Sequence, residues 1–244
     1  MVKDLVSIVI PTFDNEEVFG HCLRSILSFT SHAHEVMVVV NGQPYQLQKQ
    51  KLPNVHWLNP GSNLGWMGGI NHAKPQATGE YVMMLNDDTQ ILDYDNGWLS
   101  RMVSVIKDRV VGCGPVSNAI TGFQNIGRSI EVPFRRHTTP FVSGCCFLVR
   151  RDILDEVGWL DAGLRGGDDI DLSMRLRAKG HELAIVRDVF LFHRYASTGK
   201  RVHPGYWDSR EHAEDIRIDL IRKHGLKKVL ACEAEMAECA VVAS

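Results

Sequence analysis

Short apolar runs alternate along this chain with polar stretches of helical period. Leu5 to Ile10 is rich in Val and Ile and stops at Pro11, the pattern of a strand buried on both faces. Asp14 or Asn15 then caps a predicted helix, with Glu16 and Glu17 in its first turn and Val18, Cys22, Leu23, Ile26 and Leu27 at helical spacing. The alternation continues through strands over Val36 to Val40 and Val55 to Leu58, a helix over Met67 to Gln76, and a strand over Tyr81 to Leu85. A helix over Trp98 to Lys107 and a strand over Val110 to Gly114 lead into Pro115 to Pro140, which turns polar and irregular and reads as loops over a pocket. Order returns with Phe141 to Val149, a short helix after Arg150, a helix over Asp169 to Lys179, and separate strands over Leu183 to Val186 and Val189 to Phe192. This order predicts an α/β fold with a mostly parallel central sheet flanked by helices. A ligand site is then expected beyond the carboxyl ends of the strands.

Composition narrows the function. The chain has 244 residues, enough for one large domain with an annex, and 44% hydrophobic and 23% charged residues argue against disorder. With 27 Lys and Arg against 29 Asp and Glu there is no broad positive field, so nucleic acid is not expected as a partner. Six cysteines without a C-x-x-C pair do not suggest a disulfide framework or zinc finger, and a reducing, cytoplasmic setting is expected. No apolar stretch reaches the roughly 18 residues of a membrane span. The tail from Leu226 to Ser244 has amphipathic character, but Glu233, Glu235 and Glu238 oppose an anionic lipid surface. A packed terminal helix is therefore expected, with peripheral membrane contact left open.

Several side chains could carry chemistry. Asn86, Asp87, Asp88 and Thr89 directly follow the run Tyr81 to Leu85, which puts two carboxylates at the ligand end of a strand. They read either as an Asx turn or as anions that a divalent cation bridges to phosphate. Gly166, Gly167, Asp168 and Asp169 open a helix, where acids also serve as simple caps. Asp171 and Arg175, four apart, read as a solvated ion pair without further role. His193 ends the last apolar run and could add nitrogen to a carboxylate metal site, a set better suited to Mn²⁺ than to Mg²⁺. The turn Asn63 to Gly69 could offer backbone N–H groups to phosphate, although it lacks the lysine of a P-loop and the spacing of the dinucleotide fingerprint. Asn118, Thr121, Phe123, Gln124 and Asn125 read as a sugar-binding surface or an ordinary loop, and Cys145 and Cys146 as core strand positions.

Taken in order, Ser7-Ile-Val-Ile-Pro-Thr-Phe, Asn63-Leu-Gly-Trp, Gly79-Glu-Tyr-Val-Met-Met-Leu-Asn-Asp-Asp-Thr, Val142-Ser-Gly-Cys-Cys-Phe-Leu-Val-Arg-Arg and Gly166-Gly-Asp-Asp-Ile-Asp-Leu-Ser-Met-Arg, followed by His193, resemble family 2 glycosyltransferases. The similarity spans about residues 5 to 195, and is greatest to the rhamnosyltransferase-like branch of surface polysaccharide assembly. It implies a GT-A fold in one domain: a nucleotide-sugar-binding half over 1–109, an acceptor-binding and catalytic half over 110–205, and a C-terminal helical region over 206–244. Asn86 to Asp88 matches the metal-binding D-x-D motif, with Asp88 as its last acid, and Asp87 and His193 as further metal-site residues. Asp168 and Asp169 match the acidic pair whose second member is the general base. Pro11, Thr12, Asn41, Asn63, Gly65, Asn71, Asn86 and Asp87 are the implied nucleotide-sugar contacts. Two departures stand out: Asn86 opens the D-x-D, and Asn41 stands where an acid that binds the nucleobase is usual.

The resemblance implies an inverting transfer of sugar from a nucleotide-sugar donor to a hydroxyl of a glycan or glycolipid acceptor, with a divalent metal. Two other classes stay open at this point. A nucleotidyltransferase would share the topology, but Pro11-Thr-Phe-Asp-Asn-Glu-Glu is acidic where a basic glycine-rich loop is usual. A non-catalytic sugar-nucleotide or glycan-binding module would keep the pocket and have no use for Asp169.

Overall fold

The computed structural model describes residues 1–92, 96–120, 124–126, 136–195, 197–206 and 209–241. In chain order the elements are β1 (Val2–Thr12), α1 (Glu16–Phe29), β2 (His34–Val40), β3 (Val55–Leu58), α2 (Gly65–His72), β4 (Gly79–Leu85), β5 (Thr89–Gln90), α3 (Trp98–Val105) and β6 (Val110–Ser117). They continue with β7 (Arg136–Thr138), β8 (Cys146–Arg150), α4 (Arg151–Val157), α5 (Asp168–Ala178), β9 (Glu182–His193), α6 (Ser197–Val202), α7 (Arg210–His224) and α8 (Leu226–Val241). Among the described residues the nine-stranded sheet runs β3-β2-β1-β4-β8-β6-β9-β5, with β7 also on β9. The first four strands are parallel, as expected. β8 enters antiparallel between β4 and β6, while β6 and β9 are again parallel.

Both faces of the sheet are buried, which is why its strands read as unbroken apolar runs. Alternation divides them: Ile8, Ile10, Val38 and Leu148 pack with Phe19, Leu23 and Ile26 of α1 and Trp98 and Met102 of α3. Val9, Met37, Val39, Phe147 and Val149 pack on the other face with Ile70 of α2, Leu154 of α4 and Leu172 and Leu176 of α5.

Several boundaries differ from the sequence expectation, among them the second helix, expected over Met67 to Gln76 and found at Gly65–His72. The two expected strands after residue 182 are one strand, β9, whose register against β6 slips between Val186 and Phe190. The polar Arg187-Asp188 step breaks the apolar pattern there, and the irregularity absorbs it without ending the strand. Pro115 to Ser117, expected in a loop, continue β6, and Arg136–Thr138 form β7, so the irregular stretch is shorter than predicted. Regular pairing of β8 begins only at Cys146, after a loop through Phe141 to Gly144. Neither Asp14 nor Asn15 caps α1 through its side chain; Asp14, at φ 44°, instead accepts from Gln43 N at 2.9 Å.

The tail is a packed helix. Val229 and Cys232 of α8 are buried, and Glu233 and Glu235 pair with Arg217 and Arg177 at 2.7 and 2.6 Å. Among the described residues no helix is long and apolar enough to cross a membrane.

Candidate active site

Because β1, β2, β4, β6 and β9 all run the same way, their carboxyl ends share one edge of the sheet, and antiparallel β8 starts at that edge. Thr12, Asn41, Asn86, Asn118 and His193 all lie at or just beyond those ends. The expected site position and the sheet agree.

At the end of β4 the two neighbouring acids turn to different partners. Asp87 accepts from Thr12 Oγ1 at 2.8 Å, and that hydroxyl lies 2.8 Å from Tyr45 Oη, which in turn accepts from Asn15 N. Burial pushes the Asp87 carboxyl up to about 7, with the Thr12 bond opposing and the Asp88 charge adding to the rise. Asp88 turns to the far side, where β5 pairs with β9 and sets Thr89 opposite His193. There His193 Nε2 lies 3.1 Å from Asp88 Oδ1, and both residues are buried. His193 Nδ1 lies 2.8 Å from the Ala119 carbonyl and so donates to it, which aims the Nε2 lone pair at Asp88. Desolvation pulls this imidazole's pKa down, but the Asp88 hydrogen bond and charge outweigh it, and the net shift is upward.

A lone pair and a carboxylate oxygen at this distance need a proton or a cation between them. Asp88 and His193 thus form an N and O donor pair that fits a divalent ion. Among the described residues no three His, Cys, Asp or Glu side chains gather into a complete metal cluster. The remaining positions of such an ion would be left to phosphate and water, as is usual for Mg²⁺-type sites. Asp87 was also expected in the metal set; one of its oxygens, Oδ2, accepts from Thr12.

The second acidic pair opens α5. Asp169 accepts from Gly144 N at 3.0 Å and Ile170 N at 2.8 Å, while Asp168 accepts from the Trp66 indole at 2.9 Å. All three groups gather at Gly144, where a Cβ would lie in ordinary contact, 3.6 Å from Asp169 Cβ and 3.8 Å from both Asp168 Oδ2 and Trp66 Nε1. Burial raises both carboxyls, and the Asp169 charge adds to the rise at Asp168. The two acidic pairs meet on one segment, for Asn86 N donates to the carbonyl of Cys145, next to Gly144. Burial pushes the Cys22 and Cys145 thiols up to about 12, so neither supplies a thiolate at neutral pH.

The glycine-rich turn is built into the same edge. Gly65, at φ +67°, adopts a conformation that a side chain disfavours, and its N–H donates to Asn63 Oδ1 at 2.9 Å. Asn41 clips the turn by donating to Gly65 O at 3.0 Å and accepting from Leu64 N at 3.3 Å. Its amide therefore supports the turn, a different task from the nucleobase contact considered for it. Pro11 packs against α2, where a Cβ on Gly69 would come within 2.8 Å of the Pro11 ring. Asn71 is not brought to the acids: its amide donates to Leu160 O at 2.7 Å and accepts from Leu160 N at 3.0 Å.

The proposed sugar-binding loop is largely committed to structure as well. Asn118 bonds both backbone groups of His193 at 2.9 and 3.0 Å, like an extra strand residue. Buried Gln124 joins Ser143 N to the Pro115 carbonyl at 2.8 and 3.0 Å, and Asn125 donates to Ile120 O. Thr121 and Phe123 lie outside the described residues. The Asp171–Arg175 pair, expected in solvent, is a correction: Asp171 is fully buried and meets Lys223 and His224 as well. Sequence reading also missed Trp66 as the partner of Asp168 and Tyr45 as the partner of Thr12; an indole and a phenol beside the glycine-rich turn and the second strand were the available signals.

The model of the family described as Glycosyl transferase family 2 matches residues 7–158. The O-antigen biosynthesis protein RfbC of Myxococcus xanthus is 27% identical over 243 residues, covering 83% of this chain and 18% of that protein. A second relative, the uncharacterized protein y4gI of Sinorhizobium fredii, is 28% identical over 72% of this chain, which spans 23% of its length. Among solved structures, the mannosyltransferase PcManGT from Pyrobaculum calidifontis, in complex with GDP-Man and Mn²⁺, superposes with a TM-score of 0.69 at 16% identity. That match covers 96% of this chain and 69% of the mannosyltransferase. S. aureus TarS 1–349 in complex with UDP-GlcNAc superposes with a TM-score of 0.61 at 19% identity, over 88% of this chain and 66% of TarS 1–349. These neighbours are GT-A glycosyltransferases, and the fold described above is theirs. With more than half of its length matched by the family model, the chain belongs to glycosyl transferase family 2.

Proposed function

We propose that this glycosyltransferase moves a sugar from a nucleotide-sugar donor to a hydroxyl of a glycan or glycolipid in one inverting displacement. Asp169 is the general base that takes the hydroxyl's proton as the oxygen attacks the anomeric carbon, and the nucleoside diphosphate leaves from the opposite face. Its two backbone hydrogen bonds fix the direction of the carboxylate, and Trp66 holds the neighbouring Asp168. Asp88 and His193 hold a divalent cation, for which the mixed N and O set favours Mn²⁺. When bound, that cation supplies neutralisation of the charge developing on the leaving diphosphate. Asp87 and the backbone of the Asn63–Gly69 turn line the donor's side.

The observation that carries this reading is the shared segment Gly144-Cys145. One of its residues donates to Asp169 and the next accepts from Asn86, so the metal-site end of β4 and the base at the start of α5 border the same space. Similarity to RfbC supports a role in surface polysaccharide assembly. A panel of nucleotide sugars screened by thermal shift with Mn²⁺ or with EDTA tests it. One donor should raise the midpoint only with the metal, and NMR of the product formed from that donor should show the anomeric configuration inverted. Retained configuration, or no donor that stabilises the protein, would reject the proposal.

A further inference from the structure

Asp171 lies on α5, two residues beyond Asp169, and is fully buried. A carboxylate taken so completely from water needs donors on both oxygens. Oδ2 accepts from Arg175 Nε at 2.9 Å and Nη2 at 2.8 Å, while Oδ1 meets His224 Nε2 at 2.7 Å and Lys223 Nζ at 2.9 Å. Arg175 also donates to the carbonyls of Val157, Gly158 and Trp159, and so ties α5 to the loop after α4. Two of the three side chains that meet the Asp171 carboxylate, Lys223 and His224, therefore come from the last turn of α7, about fifty residues away in sequence.

The same face of α7 grips the approach to α5. Asp219 receives Arg165 through Nε at 2.9 Å and Nη2 at 2.7 Å, and Asp215 also bonds Arg165. Between them Ile216 seats on the backbone before Asp168: a Cβ on Gly167, whose φ is +65°, would come within 2.6 Å of Ile216 Cγ2. Asp215, Asp219 and Lys223 recur at four-residue spacing, as do Ile216, Leu220 and His224, so one stripe of α7 follows the chain from Arg165 to Asp171. This helix lies wholly outside residues 7–158, which the family model matches.

We infer that α7 is a clamp for the catalytic carboxylates and that Asp171 is the positioning residue through which it acts. The inference rests on the reading of Asp169 as the base. Asp169 is aimed by Gly144 N–H from the β8 side and by Ile170 N–H from α5 itself, so a tilt of α5 changes one donor relative to the other. A displacement of about 1 Å at a reacting group can cost on the order of 10²-fold in rate.

The test replaces the two α7 partners, Lys223→Met with His224→Gln, and leaves Asp171 and the acid pair unchanged. Asp171→Asn is the harsher companion, since it removes the charge that Arg175, Lys223 and His224 all meet. The double variant should lose on the order of 10²-fold in kcat, while the donor's Kd with Mn²⁺ changes by less than about threefold. Hydrogen exchange of the 166–172 backbone should accelerate while that of 79–85 does not. Lys223→Arg alone should keep most of the parental kcat. Parental kcat in the double variant, or a loss of donor affinity as large as the loss of kcat, overturns the inference. If the parental enzyme transfers no sugar from any donor it binds, the reading of Asp169 falls, and exchange decides the clamp separately: unchanged exchange at 166–172 in the double variant refutes it.

Discussion

The protein holds two pairs of adjacent aspartates and handles their repulsion in opposite ways. At the end of β4 the pair is split: in the turn between β4 and β5, Asp87 is directed to Thr12 on β1 and Asp88 to His193 on β9. At the start of α5 the pair is kept together, with both side chains close to Gly144; burial raises both carboxyls, and the Asp169 charge adds to the rise at Asp168. Separation onto two partners gives each acid a fixed ligand to hold. Burial raises Asp87 of the split pair too; convergence adds a second raised carboxyl beside the first, a carboxylate that binds protons readily enough to act as a general base near neutral pH. The difference teaches that the backbone conformation at each pair, strand end or helix start, assigns its chemistry.

The comparison is broken most severely at Asp169. Asp169→Asn keeps the shape and removes basicity, so kcat should fall by about 10²- to 10⁴-fold. The donor's Kd, measured by calorimetry, should stay within a few-fold; a near-parental rate would remove Asp169 from the mechanism. The opposite signature is expected at the split pair. Asp88→Ala or His193→Ala should weaken donor binding by roughly 10²-fold in Mn²⁺, because the ion loses a protein donor. The same variants should match the parent in EDTA, and equal affinities with Mn²⁺ present would exclude the metal role. Third in size is Thr12→Val, which is close in volume but strands Asp87 and Tyr45. It should cost about 1–3 kcal/mol of stability in chemical denaturation, and no loss would show that the Thr12 bond is replaced by water.

The sheet and the acids were legible in the sequence because their signals are local. Apolar runs marked β1, β2 and β4, and marked β9 as two strands, and Asn86 to Asp88 had to lie where such a run ends. Neutral amides were not legible. Asn41, Asn71, Asn118 and Gln124 have the composition of a sugar-binding surface, yet each is committed to backbone groups between 23 and 89 residues away or across a nearby turn. An amide that satisfies a buried backbone and one that awaits a ligand look alike until the fold is known. Asp171 failed for the same reason in charged form. Four-residue spacing to Arg175 predicts a surface pair, and only the packing of α7 removes that pair from water.

The smallest expected effect is the most informative about the converging pair. Trp66→Phe keeps the ring and deletes the indole N–H that donates to Asp168, a bond that lowers its pKa by favouring the ionised form. Without it the pair, already above the usual carboxylate value, moves further up. The base works ionised, so kcat rises with pH through the pair's pKa, and the acid limb of the profile should shift to higher pH in Trp66→Phe by less than about one unit. Stability should respond with a matching sign. A native pKa raised above the unfolded value makes the folded protein lose stability as pH climbs from the ordinary carboxylate range through the native value. Asp168→Asn removes one ionisable member, so it should stabilise the protein at pH 8 relative to the parent and show little of that gain at pH 4. An acid limb unmoved by Trp66→Phe, together with a pH-independent effect of Asp168→Asn, would mean that the two aspartates titrate as ordinary separate carboxyls, and the contrast between the two pairs would reduce to geometry alone.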